Sequence, residues 1–301
     1  MKKLLALCAM SFALAGCQST GSPASGAVQT KVAQVNGVEL PYIEQGQGVP
    51  VVFVHGSMTD YRIWEAEPPM VAAHYRYIAY TQRYFGSTPW QDKGQNFNQP
   101  THAADLIAFI KSLNAGPVHV VTWSYGGSVA TLAASQHPEL FRSLTIHEPT
   151  IGSLIVNTPE GKAAAGDFGK EVARLRSVAN SGDTLAATRQ FWEFVVRLPD
   201  GGFDGEPAPL QAIVLDNART VPLSLNAPPQ PITCDMVKAI KAPVLITVGA
   251  NTRALWTLAA HTMANCAPHG ELVTIANSNH DAIVRQPAAF SEALLDFLSR
   301  H

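Results

Sequence analysis

From residue 31 onward the chain alternates short apolar runs with longer stretches of helical periodicity. Lys31–Gln34 and Val38–Glu44 read as two short strands. Asn36-Gly37 lies between them, and because both residues tolerate positive φ it predicts a hairpin. Val51–Val54 is apolar at every position, as expected of a strand covered on both faces. Tyr77–Tyr80, Val118–Val121, Leu144–Ile146, Val244–Val248 and Leu272–Ile275 read as further strands. Between the strands, Thr101–Leu113 sets Ala104, Ile107, Ala108, Phe109 and Ile110 at helical spacing. Gly126–His137 is a small, Ala-rich helix and Ala288–Leu298 an amphipathic closing one. Strands alternating with helices predict an α/β fold with a mostly parallel sheet covered by helices.

Residues 150–240 break this rhythm. Helical stretches near Ala164–Val178, Leu185–Leu198 and Leu210–Asn217 are separated by Gly/Pro-rich turns such as LPDGGFDGEPAP and NAPPQP. They predict a helical cap inserted between the two parts of one core, residues 28–149 and 241–301. A chain of 301 residues suffices for one core with such an inserted lobe.

Composition changes the picture mainly at the N-terminus. Residues 1–16 open with a basic MKK and continue into an apolar tract too short to span a membrane permanently. The tract ends in Leu14-Ala15-Gly16-Cys17, which resembles a bacterial lipobox. That resemblance implies a signal peptide over residues 1–16, lipidation of Cys17 and attachment to a lipid bilayer through its acyl chains. Gln18 after the Cys implies the outer membrane. An ordinary secretory signal cut elsewhere is the alternative. Residues 17–27, small and polar, read as a flexible tether. Cys8 leaves with the signal, so Cys234 and Cys266 remain, either as a disulfide in an oxidising compartment or as two buried thiols. Their spacing fits no metal cluster. A formal charge of −2, with no Lys/Arg-rich stripe, disfavours a nucleic-acid partner.

Three segments carry candidate chemistry. In VHVVTWSYGG an apolar strand runs into Ser124, then two glycines and a helix, the setting of a nucleophile elbow. Thr122 stands where the G-x-S-x-G pattern has its first Gly, which introduces a β-branched side chain. In VHGSM, also after an apolar strand, the Ser57 amide joins that of Tyr125 as a candidate oxyanion donor. His55 is expected to hold this loop rather than act as a base. In NSNHD, His280 sits on a loop after the strand Leu272–Ile275, placed to reach Ser124 as general base.

These pieces, with YIAYTQRYFGST, HPELFRSLTIHEP and APVLITVG, resemble the α/β-hydrolase superfamily over about residues 32–300. The resemblance implies a nucleophile at Ser124, oxyanion amides at Ser57 and Tyr125, and a base at His280. Many members carry the third, acidic residue near Thr252, yet no Asp or Glu occurs between Ala250 and Met263. A subset carries it after the strand following the elbow, where Glu148 stands. Glu148 is therefore the leading candidate, with Asp281, Asn251 and a missing acid as the others. In YTQRYFGST, Arg83 and Gly86 match the family's loop while Thr81 replaces its acidic residue.

The expected function is hydrolysis of a small ester-like substrate by a Ser-His-Glu triad through an acyl-enzyme, with no metal or organic cofactor. Met58, Trp64, Trp123 and Trp192 are candidate pocket residues, and Trp90, Tyr125 and Phe191 could add to an aromatic lining. Cofactor-free haloperoxidase or perhydrolase chemistry, carbon–carbon bond hydrolysis and a non-catalytic lipid-anchored envelope protein are the alternatives.

Overall fold

The computed structural model describes residues 29–301. The signal-like segment, Cys17 and the tether lie outside the described residues. Every expected strand forms: β1 (Lys31–Val35), β2 (Val38–Gln45), β3 (Pro50–Val54), β4 (Arg76–Tyr80), β5 (Val118–Trp123), β6 (Phe141–His147), β7 (Val244–Gly249) and β8 (Gly270–Ile275). They make one sheet in the order β1-β2-β4-β3-β5-β6-β7-β8. The β1–β2 and β2–β4 pairs are antiparallel and all the others parallel. Residues of β3, β5 and β7 are buried throughout, the polar His119, Thr122 and Thr247 among them, as expected of strands covered on both faces.

Before β6 the helices are α1 (Pro68–Val71), α2 (Gln99–Ser112) and α3 (Tyr125–Gln136). α2 starts two residues earlier than expected, because the Asn98 side chain accepts the Thr101 N–H at 2.8 Å and Pro100 sits where no donor is needed. Between β6 and β7 run α4 (Pro159–Asn180), α5 (Thr184–Val196), α6 (Ala208–Asp216), α7 (Val221–Asn226) and α8 (Cys234–Lys238). α4 begins well before Ala164 because Thr158 caps the Gly161 N–H and Pro159 takes the first turn. After β7 come α9 (Ala254–Cys266), α10 (Ala282–Arg285) and α11 (Pro287–Ser299). α9 has no counterpart in the expected elements. Its buried Leu255, Trp256, Ala259, Ala260, Met263 and Cys266 follow the helical period, with His261 and Asn265 exposed opposite them, so the pattern is present in the sequence. Cys234 and Cys266 are bonded and tie α8 to α9. The fold is that of an α/β hydrolase: a mostly parallel sheet, flanking helices and an inserted helical region.

Candidate active site

The parallel register of β5, β6 and β7 brings their C-terminal ends together. Trp123 pairs with His147, and His147 with Thr247. Ser124 and Glu148 are the next residues along β5 and β6, so each emerges at the same edge.

Ser124 turns sharply at φ 55° and ψ −116°, a conformation that costs about 1–3 kcal/mol. Its N–H donates to His147 O at 2.9 Å, and its carbonyl accepts from Gly127 N at 3.0 Å. The crossing is tight. A Cβ on Gly126 would lie 2.6 Å from His55 O and 2.7 Å from Val54 O. Thr122 fits because its hydroxyl leaves the elbow and donates to Thr145 O on β6 at 3.2 Å.

His280 Nε2 lies 2.9 Å from Ser124 Oγ, and His280 Nδ1 lies 2.6 Å from Glu148 Oε2. The loop carrying His280 packs directly on the end of β7, where a Cβ on Gly249 would meet Ser278 O and Asn279 O at 2.6 Å. The indole N–H of Trp123 donates to His280 O at 2.8 Å and fixes the loop from the other side.

Glu148 is buried at a positive φ of 46°. Its Oε1 accepts from Gly249 N at 2.7 Å, and its Oε2 also accepts from Thr252 Oγ1 at 2.8 Å. Burial pushes this carboxyl up, but the hydrogen bond from His280, the fields of His147 and His280 and the Gly249 amide outweigh it and hold the group below its ordinary range. Thr252, standing where an acid was sought, instead donates to the acid one strand away. The other candidates are placed elsewhere. Asp281 accepts from Arg285 Nε at 2.6 Å, and Asn251 is exposed.

His55 accepts the Gln82 N–H on Nε2 at 3.0 Å, which leaves Nδ1 to donate to Gly56 O at 2.8 Å. Burial lowers it to about 4, so the ring stays neutral and braces the loop that carries Ser57. Arg83 grips Asp105 with both Nε and Nη2 at 2.7 and 2.8 Å, and its Nη2 reaches Asn36 O at 3.3 Å, tying the 81–88 loop to α2 and the first hairpin.

Ser124 and His280 open on a cavity of about 220 Å³ that Ser57, Met58, Trp123, Tyr125, Phe191 and Trp192 also line. Trp64 is not among its walls, which corrects the expectation. The turn Tyr61–Trp64 folds it under the sheet, where it packs on Phe53 and Phe290 at centroid distances of 5.2 and 6.2 Å. Trp90 is also elsewhere, stacked edge-on against Tyr84 and beneath Arg219.

Four residues passed over in the sequence also face this site. Thr150 Oγ1 is 3.1 Å from Ser124 Oγ, and Trp256 Nε1 is 3.2 Å from Thr150 Oγ1. The Trp256 ring stacks on His280 at 3.8 Å and 20°. Gln99 and Arg176 line the cavity. Gln99 Oε1 is buried without a partner, and Arg176 has only its Nε engaged, by Leu225 O at 2.7 Å, with no carboxylate pairing with it among the described residues. Thr150 stands two residues after Glu148, which was the one available signal.

This chain belongs to the alpha/beta hydrolase family, whose pattern matches residues 51–293. It is an enzyme fold with serine-hydrolase-type residues at Ser124, His280 and Glu148. A Mycobacterium tuberculosis protein named as a non-heme bromoperoxidase, BpoC, is 26% identical over 270 residues, which is 87% of this chain and 98% of that protein. A 2-hydroxy-6-oxo-6-(2'-aminophenyl)hexa-2,4-dienoic acid hydrolase of Metapseudomonas resinovorans is 25% identical over 280 residues, 90% of this chain and 91% of that one. Among solved structures, an esterase of Exiguobacterium antarcticum shares the fold with a TM-score of 0.75 at 18% identity, covering 90% of this chain and all of the other.

Proposed function

We propose that this enzyme is a serine hydrolase that forms an acyl-enzyme on Ser124 from a small carbonyl substrate bearing an acid group. The observation that carries the reading is the line from Ser124 Oγ through His280 to Glu148, at 2.9 and 2.6 Å, opening on a largely apolar cavity. In this reading Ser124 attacks the carbonyl carbon while His280 Nε2 takes its proton. The Ser57 and Tyr125 amides receive the oxyanion, and losing one such donor costs about 3 kcal/mol. Glu148 stabilises the imidazolium, which then protonates the leaving group. Water, deprotonated by His280, releases the acyl group.

Plain ester hydrolysis, the first expectation, draws less support from the relatives than two neighbouring reactions. In one, Ser124 attacks the ketone of a vinylogous diketone acid, a carbon–carbon bond breaks, and the carbon leaving group takes the proton from His280. In the other, hydrogen peroxide replaces water and the acyl-enzyme yields a peracid. Arg176 favours the first, because a guanidinium without a carboxylate partner at an apolar cavity suits an anionic substrate, and the name of the dienoic acid hydrolase carries the same feature. The bromoperoxidase relative favours the second.

Comparing kcat/KM for p-nitrophenyl butyrate, mono-p-nitrophenyl glutarate and 2-hydroxy-6-oxo-6-phenylhexa-2,4-dienoic acid tests the reading, with bromide-coupled peracid formation from acetate and peroxide alongside. The acid-bearing substrates should be preferred by about tenfold or more, the worth of one charge-assisted contact. Preference for the neutral ester would end the acid-group assignment, and turnover of none of them would end the hydrolase reading.

Membrane attachment through Cys17 is a separate proposal, supported by the sequence Leu14-Ala15-Gly16-Cys17.

A further inference from the structure

We propose that Thr150 is a further catalytic residue: its hydroxyl donates to Ser124 Oγ, and Trp256 holds it in that polarity. The inference rests on Ser124 being the nucleophile. Trp256 Nε1, Thr150 Oγ1, Ser124 Oγ, His280 and Glu148 form one unbroken chain with links of 3.2, 3.1, 2.9 and 2.6 Å. An indole N–H can only donate, and an ionised carboxylate can only accept. The carboxylate end therefore sets the direction back to Ser124, whose one proton is committed to His280, and the indole end cannot take the Thr150 proton, which leaves Ser124 Oγ as its acceptor. Trp256 fills a lone pair on Thr150, the Thr150 proton turns to Ser124, the Ser124 proton turns to His280 Nε2, and the Nδ1 proton goes to Glu148. Reversing the Thr150–Ser124 link would deprive His280 of its donor. It would also leave the Thr150 proton without an acceptor among the described residues.

Polarity matters because Thr150 Oγ1 is a second acceptor within reach of the Ser124 proton. The indole occupies one of its lone pairs and offers no acceptor, so the Thr150 proton points to an oxygen that gains negative charge as its own proton departs. During release of the acyl group the carbon–Oγ bond breaks, and Oγ recovers its proton from the His280 imidazolium. The same donor steadies Oγ through that step. The backbone holds Thr150 for the task. Its N–H reaches Ser124 O at 3.4 Å, and Ser128 Oγ donates to its carbonyl at 3.0 Å. Trp256 is a positioning residue, seated by its stack on the imidazole.

The test reads the second-order rate constant for labelling by a fluorophosphonate, which reports Ser124 reactivity without knowledge of the substrate. The proteins are the parent, Thr150→Val, Thr150→Ser, Trp256→Phe and the Thr150→Val/Trp256→Phe double variant, each checked for its melting temperature. Thr150→Val should slow labelling by about tenfold, and Thr150→Ser should restore most of it. Trp256→Phe keeps an aromatic face but loses the N–H. It should slow labelling in the parent and add nothing in the Thr150→Val background. Additive losses, or Thr150→Val labelling at the parent rate, overturn the proposal. Should Thr150→Val not fold, Trp256→Phe labelling at the parent rate overturns it, and slowed labelling beside an unaffected Thr150→Ser supports it. A parent that takes no label overturns the nucleophile reading itself, and this inference with it.

Discussion

Glu148 does its work one strand away from where many α/β hydrolases carry their acid, and its neighbours are arranged accordingly. The Gly249 amide and the Thr252 hydroxyl both donate to its carboxylate, at 2.7 and 2.8 Å, while His280 takes up Oε2 from the other side. Glu148→Gln keeps the shape but loses the charge, and in place of an acceptor it can present an amide N–H to the imidazole. Turnover should fall by about 10³–10⁴-fold, measured as kcat on the best substrate of the panel. A kcat near that of the parent would remove Glu148 from the triad. Thr252→Val removes one donor and leaves the carboxylate otherwise held, so a fall of about tenfold is expected. Ser124 and His280 were legible because local patterns announce them: a strand, a Ser and two glycines for one, a loop after the last strand for the other. Glu148 was legible from the missing acid near Thr252 together with its own place after the strand that follows the elbow. Thr150, Thr252 and Trp256 were not, because their partners lie on other strands and no spacing within the chain records those contacts.

At the scale of elements, the nucleophile elbow depends on how closely α3 crosses the loop after β3. Gly126→Ala sets a methyl against two backbone carbonyls, His55 O and Val54 O, neither of which can rotate away. Both stability and activity should fall together, seen as a lower melting temperature and a loss of turnover. A variant matching the parent in both would show the crossing to be looser than it is here. A second contact couples α11 to the start of α1. Glu67 lies buried with its Oε2 accepting from Ser291 Oγ at 2.6 Å, and burial raises it to about 7. An acid raised in the folded state binds its proton more tightly there than in the unfolded chain. Its contribution is thus complete below about pH 4.5 and is lost as pH rises through about 7. Glu67→Gln should therefore gain stability relative to the parent between those values, by about 1–3 kcal/mol at pH 8 in denaturant titrations. A difference independent of pH would contradict it. The strands could be read from their apolar runs, since a strand covered on both faces needs no polar positions. α9 is legible as well, since Leu255, Trp256, Ala259, Ala260 and Met263 are buried at helical spacing opposite the exposed His261 and Asn265.

For the whole molecule, alternating strands and helices were enough to indicate a mostly parallel sheet. The position of Trp64 was hidden, since it depends on which way a single turn folds under β3. The Cys234–Cys266 bond closes α8 onto α9 across 32 residues of sequence. Replacing both with Ser should lower stability by about 2–4 kcal/mol, and denaturation with and without reductant should reproduce the difference in the parent alone. If Cys17 carries lipid, Cys17→Ala should move the protein from the membrane fraction to the soluble one. An unchanged distribution would exclude the anchor. The central claim, a covalent acyl group on Ser124, is tested most directly by acid-quenching the enzyme during turnover of a p-nitrophenyl ester and mapping the adduct by peptide mass spectrometry. The account predicts one acyl group on the peptide containing Ser124, and neither adduct nor turnover in Ser124→Ala. An acyl group mapped to another residue, or undiminished turnover in Ser124→Ala, would contradict it.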